Sequence, residues 1–254
     1  RVHGVDTIFC LPGESYLAAL DAMHDAQNTI KIVTCRQEGG VTNMADAYAK
    51  LTGKPGIAMV TRAPGACNAS IGVHTAMQDS SPMLIFIGQV ARNQEYREAF
   101  QEVDYHQFYG ALCKSVIQID DVDRIPELVS QAFHRTMSGR PGPVAVALPE
   151  DMLRDLTVVS DAKQYKVARP NMAALDVEAL RNFLEKAKRP IAILGGGGWS
   201  AEACNNFASF SAANNIPVTT SFRCQDFIDN EPSCYVGELG TTVSPKLANR
   251  IKEA

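Results

Sequence analysis

Residues 57–88 have the sequence IAMVTRAPGACNASIGVHTAMQDSSPMLIFIG. The apolar run Ile57–Thr61 predicts a strand, and the turn after it leads into a helix rich in small residues over Ala66–Gln78. Met83–Gly88 is a continuous apolar run, as expected of a strand buried on both faces. A strand, a helix and a second buried strand in this order predict a parallel β-α-β unit.

The same alternation extends to both sides of this stretch. Further strands are predicted at Val5–Cys10, Ile30–Cys35 and Val144–Leu148, and helices at about Ser15–Gln27, Glu38–Leu51 and Val122–Met137. Residues 90–115 lack a clear period. We therefore expect an α/β fold, a three-layer doubly wound and mostly parallel sheet with helices on both faces, over residues 1–151.

A second alternating region follows a break in the pattern. Residues 152–174 are polar, contain Pro170 and are predicted to be a linker. From Asp176 onward the pattern predicts a helix to Lys188, a strand at Ile191–Leu194, a glycine-rich turn, a helix to about Asn214 and a strand at Ile216–Thr220. We expect an incomplete α/β domain over residues 175–254, because such domains rarely finish after two strands.

The composition excludes several classes of protein. With 254 residues, of which 46% are hydrophobic, the chain is typical of about two folded domains. Its net charge of −4 argues against a nucleic-acid partner, and no apolar run reaches the roughly 18 residues of a membrane span. The seven cysteines are scattered without a CxxC pair, which is typical of a reduced, cytoplasmic protein.

Three features lie at junctions where a predicted strand is followed by a predicted helix. Glu38 follows one strand, and the pairs Pro12-Gly13 and Pro64-Gly65 follow two others, so all three are expected at the carboxyl edge of the sheet, where ligands bind. Each also has a purely structural explanation, because a glutamate at a helix N-terminus and proline-glycine turns are favoured without any ligand.

Other residues give weaker signals. Gly195–Gly198 lies between a strand and a helix, as in nucleotide-binding turns, but lacks the GxGxxG spacing and is equally explained by close packing. The five histidines are scattered, and no metal-ligand spacing is present, so we predict no metal ligands in this chain.

Taken in order, several motifs resemble those of one enzyme family. These motifs are FCLPGE at 9–14, CRQEGGVTNMADAYAKLTGKP at 35–55, PGACN at 64–68, Asp-Ser-Ser-Pro at 79–82, IGQ at 87–89, AFQEVD at 99–104 and GRPGPV at 139–144. As a set they resemble the thiamine diphosphate-dependent enzymes, and among these the large, catalytic subunit of acetolactate (acetohydroxyacid) synthase.

This resemblance implies roles for particular residues. Residues 1–151 would hold the aminopyrimidine ring of thiamine diphosphate, and Glu38 matches the glutamate that hydrogen-bonds ring nitrogen N1′ and so promotes removal of the C2 proton. Gln101 would contact bound intermediates as a catalytic residue, and Phe100 would line the substrate pocket. The other residues expected to line the cofactor pocket are Leu11, Pro12, Gly13, Pro64 and Asn68.

The resemblance also implies an activity and further components. Such enzymes decarboxylate pyruvate and transfer the two-carbon unit to a second 2-oxo acid, in branched-chain amino acid biosynthesis. Mg²⁺ and the diphosphate would be held by a C-terminal domain that nothing in this chain matches, so we expect a fragment that is inactive alone. Residues 175–254 would be part of a Rossmann-like central domain, in which FAD is left open. The partners would be 2-oxo acids and other copies of the chain, in a homodimer or homotetramer.

Two departures from the synthase pattern leave alternatives open. Glu150 stands where synthases usually have lysine, and Ala63 stands where they usually have glycine, with Arg62 before it. These departures favour another thiamine diphosphate-dependent 2-oxo acid decarboxylase or lyase. A second alternative is a complete, non-catalytic protein that binds a nucleotide or a partner chain.

Overall fold

The structure, a computed structural model, describes residues 1–168 and 171–254, and the chain divides into two units between residues 168 and 169. The first unit contains a six-stranded sheet in the order β2-β1-β3-β4-β6-β5, and every neighbouring pair is parallel. This confirms the predicted parallel α/β fold. The strands are β1 (Thr7–Cys10), β2 (Lys31–Thr34), β3 (Gly56–Val60), β4 (Met83–Gln89), β5 (Ser115–Gln118) and β6 (Pro143–Pro149). The helices are α1 (Leu17–His24), α2 (Glu38–Thr52), α3 (Ala63–Asp79), α4 (Tyr105–Tyr109) and α5 (Ile125–Met137).

Helices cover both faces of this sheet because the central strands are apolar on both sides. Along β3, Ala58 and Val60 pack into a cluster with residues of α2 and α3, including Val73. Ile57 and Met59 point the other way, into a cluster that includes residues of α5. Successive side chains of a strand point to opposite faces, so one buried strand joins two hydrophobic cores.

The segment predicted to be irregular contains more structure than expected. The short helix α4 lies within it, and strand β5 begins at its end, at Ser115. Only Val116 and Ile117 of β5 are apolar, and the strand is half-buried at the edge of the sheet, paired with β6. Two apolar residues between polar ones are too short a pattern for recognition.

The second unit has three parallel strands in the order β7-β8-β9, which corrects the expectation that it ends after two. The unexpected strand β9 has a glycine at its centre, Gly237 with φ 107°, and its pairing with β8 contains a register shift. These irregularities hide the alternation that identifies a strand. The strands are β7 (Ala192–Leu194), β8 (Val218–Ser221) and β9 (Tyr235–Leu239), and the helices are α6 (Ala174–Lys186), α7 (Ala201–Ala213) and α8 (Pro245–Lys252).

The first part of the predicted linker packs onto the first unit. Met152 is fully buried, and the ring of Tyr165 stacks on Phe133 with 5.2 Å between the ring centroids. The first unit therefore extends to residue 168, beyond the expected domain end at residue 151. Arg169 and Pro170 of the predicted linker lie outside the described residues.

The helices of both units were compared with the requirements of a membrane-spanning helix. None of the helices in the described ranges combines the length and the apolar character that a bilayer crossing needs.

Candidate functional site

The turns after β1 and β3 meet where the strand order of the first sheet changes direction. The chain runs from β1 to β2 on one side and then to β3 on the other side of β1. Ligands of open parallel sheets bind at such a point, outside the carboxyl ends of the strands. The hydroxyls of Ser15 and Thr61 are hydrogen-bonded at 3.0 Å, and a Cβ on Gly13 would lie 2.5 Å from the Thr61 Cβ. Gly13 is thus required for the close approach of the two turns.

Glu38 lies at the N-terminus of α2, beside this point. The side chain of Gln37 caps the helix by accepting a hydrogen bond from the Gly40 amide at 3.1 Å. The Glu38 carboxylate therefore lies at the positive end of the helix dipole. The residue is buried, with 8% of its surface exposed. Its Oε2 accepts a hydrogen bond of 3.0 Å from Asn68 Nδ2. Two of the predicted cofactor-binding residues are thus in direct contact.

The close crossing of α2 and α3 produces this contact. Thr42 Oγ1 donates to the carbonyl of Ala69 at 2.9 Å, and a Cβ on Gly72 would lie 2.3 Å from that same Oγ1. Because Gly72 has no side chain, the two helices approach closely enough to bring Asn68 of α3 to Glu38 of α2.

The second carboxylate oxygen of Glu38 is left available. Within residues 1–168 and 171–254, no protein donor is hydrogen-bonded to Oε1. A Cβ on Gly65 would lie 3.4 Å from it, so the glycine leaves this side of the carboxylate open. The site therefore offers an acceptor oxygen that the fold orients but does not occupy.

The other predicted pocket residues lie on the same two turns. Leu11 accepts a hydrogen bond from the Tyr16 hydroxyl through its carbonyl oxygen. Burial, together with the Cys10 thiol and the Glu38 carboxylate, raises the pKa of Tyr16, so the hydroxyl remains a neutral donor. Pro12 is exposed, and Pro64 is exposed in the first turn of α3.

Gln101 and Phe100 lie on the loop between β4 and α4. The Gln101 carbonyl accepts a hydrogen bond from the Ala63 amide at 3.2 Å, which fastens the loop to the start of α3. Gln101 has a φ of 63°, a conformation that costs energy for a residue other than glycine and is common at functional sites. Its Oε1 is buried without a partner among the described residues, and Phe100 is 75% exposed.

An ion-paired group that was not predicted from the sequence lies at the same edge of the sheet. The guanidinium of Arg62 donates from Nη1 to Glu150 Oε2 at 2.8 Å and from Nη2 to Glu14 Oε1 at 3.0 Å. The three residues follow β3, β6 and β1, so they belong to three different strand ends. Glu150 is one of the two departures noted in the sequence, and Arg62 precedes the other, Ala63, but no sequence pattern indicated that they pair.

Comparison with known proteins identifies the family of both units. Residues 1–108 match the model of the thiamine pyrophosphate enzyme N-terminal TPP-binding domain, and residues 177–254 match the model of the thiamine pyrophosphate enzyme central domain. The chain belongs to the thiamine pyrophosphate enzymes. This confirms the resemblance to thiamine diphosphate-dependent enzymes inferred from the motifs.

Curated relatives of this thiamine pyrophosphate enzyme are acetolactate synthases by name. The chain is 35% identical over 249 residues to the acetolactate synthase large subunit of Parasynechococcus marenigrum (strain WH8102), with 94% of this chain and 40% of the relative covered. It is 33% identical over 243 residues to the acetolactate synthase isozyme 2 large subunit of Escherichia coli (strain K12), with 94% and 43% covered. The chain thus spans about 40% of the length of these relatives.

The residues around Glu38 fit the aminopyrimidine ring of the cofactor that names the family. An oriented carboxylate with one free oxygen suits a ring nitrogen that shares a proton with it, and Gly65 leaves room on that side. No group of three or more His, Cys, Asp or Glu residues suitable for a metal occurs among the described residues. The expectation of Mg²⁺ therefore stays a prediction.

The glycine-rich turn of the central domain is formed by Gly195–Gly198. Gly196 and Gly198 have φ of 77° and 84°, and Trp199 Nε1 donates to the Gly195 carbonyl at 3.2 Å. The left-handed conformations explain why glycine occurs here without any ligand. The expectation of FAD stays open.

Proposed function

We propose that this thiamine pyrophosphate enzyme acts as an acetolactate synthase-like carboligase. It would decarboxylate pyruvate and transfer the two-carbon unit to a second 2-oxo acid. The observation that carries the proposal is the oriented Glu38 carboxylate with its free Oε1, in a chain of which 94% aligns with acetolactate synthase large subunits. Thiamine diphosphate, when bound, supplies a carbon nucleophile and an electron sink for loss of carbon dioxide.

The chain's own residues would hold the cofactor and position the substrate. Glu38 would share a proton with ring nitrogen N1′ through Oε1, while Asn68 keeps the carboxyl group in place through Oε2. The turns that contain Leu11, Pro12, Gly13 and Pro64 would line the pyrimidine pocket. Gln101 would contact bound intermediates and Phe100 would line the substrate pocket, on a loop that a backbone hydrogen bond fastens to the start of α3.

Further components belong to the same proposal. Mg²⁺ and the diphosphate would be bound by residues outside this chain. The active enzyme would be a homodimer or homotetramer, and FAD would lie in the central domain if the protein uses it. We further propose that the chain alone is inactive, because it supplies none of the predicted diphosphate ligands.

A second candidate function is another thiamine diphosphate-dependent 2-oxo acid decarboxylase or lyase. The ion pair between Arg62 and Glu150 favours it, because a glutamate replaces the lysine usual in synthases and is bound to an arginine from another strand end. The reversed charge at residue 150 would alter the pocket for the second, anionic substrate.

Product analysis separates the two candidates. The full-length protein is supplied with thiamine diphosphate, Mg²⁺ and pyruvate, and the products are identified by NMR. The carboligase proposal expects acetolactate. Aldehyde without acetolactate would support the second candidate instead, and consumption of no 2-oxo acid would contradict both.

A further inference from the structure

The guanidinium of Arg62 is incompletely bonded. Only 9% of its side chain is exposed, and its Nη1 and Nη2 donate to Glu150 and Glu14 at 2.8 and 3.0 Å. Its Nε is buried and has no hydrogen-bond partner among the described residues. A buried donor without an acceptor is costly, so its presence needs an explanation.

The unpaired Nε lies on an edge of the guanidinium suited to a carboxylate. Nε and Nη2 share one planar edge, and its two parallel N–H groups match the two oxygens of a carboxylate. Of these two nitrogens, Nη2 donates to a single oxygen of Glu14, and Nε has no partner among the described residues. The edge is therefore half used.

The two glutamates differ in how firmly they are held. The Glu14 side chain is 64% exposed and the Glu150 side chain 37% exposed. Ion pairs of well-solvated side chains contribute little net stability, so Glu14 is the partner that an incoming anion displaces at low cost. Glu150, on Nη1, keeps the guanidinium in place during the exchange.

Arg62 also lies inside the candidate site. Thr61, the preceding residue, contacts the turn at Gly13, and Ala63, the following residue, is hydrogen-bonded to the Gln101 carbonyl at 3.2 Å. A carboxylate that replaces Glu14 on Arg62 would thus lie beside the turn after β1, the turn from which Glu14 comes.

We propose that Arg62 binds the carboxylate of the substrate through Nε and Nη2, and that this carboxylate displaces Glu14. The identity of the acid as a 2-oxo acid rests on the proposed function, whereas carboxylate binding by Arg62 does not. Exchange of one carboxylate for another leaves the local charge unchanged, so the buried arginine is never left without a counter-ion.

Pyruvate binding to the chain without cofactor tests this directly. Titration of ¹³C-labelled pyruvate, followed by NMR, is expected to show affinity about two- to fivefold higher in Glu14→Gln, because the competing carboxylate is gone. Arg62→Gln is expected to weaken binding by at least about tenfold. Arg62→Lys keeps the charge but loses the planar edge, so it should restore only part of the affinity.

Two controls separate binding at Arg62 from general charge effects. Arg92→Gln removes an arginine that is likewise paired with two carboxylates, Asp151 and Asp155, and should leave pyruvate affinity unchanged. Pyruvamide, which has no carboxylate, should bind equally weakly to every variant. Pyruvate affinity that is equal in the wild-type protein and Glu14→Gln would overturn the proposal even if Arg62→Gln fails to fold.

Turnover by the full-length enzyme distinguishes failure of this inference from failure of the proposed function. Arg62→Gln should raise KM for pyruvate by at least about tenfold with a smaller change in kcat. If Arg62→Gln and Glu14→Gln both turn over pyruvate with the wild-type KM, the role of Arg62 is overturned and the carboligase proposal stands. If the variants bind pyruvate with the expected order of affinities but the full-length protein does not turn it over, carboxylate binding by Arg62 is supported and the carboligase proposal is contradicted.

Discussion

At the scale of the residue, Glu38 combines a bonded oxygen with a free one. Asn68 holds Oε2 at the N-terminus of α2, so the carboxylate is oriented before any ligand binds. The same fold leaves Oε1 open beside Gly65. A group prepared in this way can exchange a proton with a ring nitrogen without first breaking a bond to the protein.

Replacement of this carboxylate tests its role in proton transfer. Glu38→Gln preserves the size and one hydrogen bond of the side chain but cannot share a proton with the cofactor ring. In the full-length enzyme we expect cofactor affinity to change by less than about tenfold, and exchange of the cofactor C2 proton, measured by deuterium incorporation, to slow by about 10² or more.

A matched glutamate provides the control. Glu127 lies in the first turn of α5 and is exposed, with Arg124 as its ion-pair partner. Glu127→Gln should exchange the C2 proton at the wild-type rate. If Glu38→Gln did the same, Glu38 would have no part in the chemistry.

Some residues of the candidate site could be located from the sequence, and the contacts between them could not, for a physical reason. Glu38 and Pro64 could be placed because strand-helix junctions have local patterns. The contact between Glu38 and Asn68 depends on how α2 crosses α3, and the Arg62–Glu150 pair joins residues of two distant strand ends. Such contacts are set by tertiary packing, which no local pattern contains.

At the scale of the element, α2 and β3 are in close contact at Gly56. A Cβ on Gly56 would lie 2.0 Å from the Ala45 carbonyl oxygen in α2. Since that atom belongs to the helix backbone, it cannot move aside as a side-chain tip can. The distance between helix and strand thus depends on this glycine.

Paired glycine substitutions test that dependence. Gly56→Ala should lower the free energy of unfolding by about 1–3 kcal/mol, because α2 must move away from β3. Gly40→Ala, where nothing lies within 4 Å of the added Cβ, should instead raise it by up to about 1 kcal/mol, because alanine favours the helix. Urea denaturation measures both, and equal effects would contradict the close contact.

Elements with a clear apolar period were predictable, and two strands that lack one were not. The predicted helix Glu38–Leu51 differs from α2 by one residue at its end, since its apolar positions recur with the helical period and Gly53 ends it with a φ of 67°. β5 and β9 escaped prediction because an edge position or an internal glycine removes the alternation. These two strands are identified by their backbone pairing with β6 and β8, which the sequence does not show.

At the scale of the whole molecule, burial in the core raises the pKa of a cysteine thiol and of two tyrosine hydroxyls. Burial raises the pKa of the Cys113 thiol to about 12 from its ordinary value of 9.0. Burial likewise raises the pKa of Tyr105 and Tyr109. Folding therefore keeps these groups protonated in alkaline solution, where the unfolded chain would lose their protons.

Stability should accordingly fall in alkaline solution. Below pH 9 the folded and unfolded states both keep the Cys113 proton, so the contribution of this thiol to stability is fully present. Between pH 9 and about 12 only the unfolded state loses the proton, so the free energy of unfolding decreases. The free energy of unfolding of Cys113→Ala, from urea titrations between pH 7 and 11, should fall less steeply than that of the wild type. Cys67→Ala, which removes an exposed thiol, should keep the wild-type slope. Identical slopes in all three proteins would show that Cys113 does not contribute.

The strand order also has a consequence for the chain during its synthesis. β5 pairs with β6, which follows it only after residues 119–142. At about 5–20 residues per second, β5 waits roughly one to five seconds on the ribosome for that partner. In that interval β1 to β4 have emerged, and Glu38 and Asn68 with them, while residue 150 has not. The nascent chain can therefore build its carboxylate site first, with Arg62 holding Glu14 alone until Glu150 arrives.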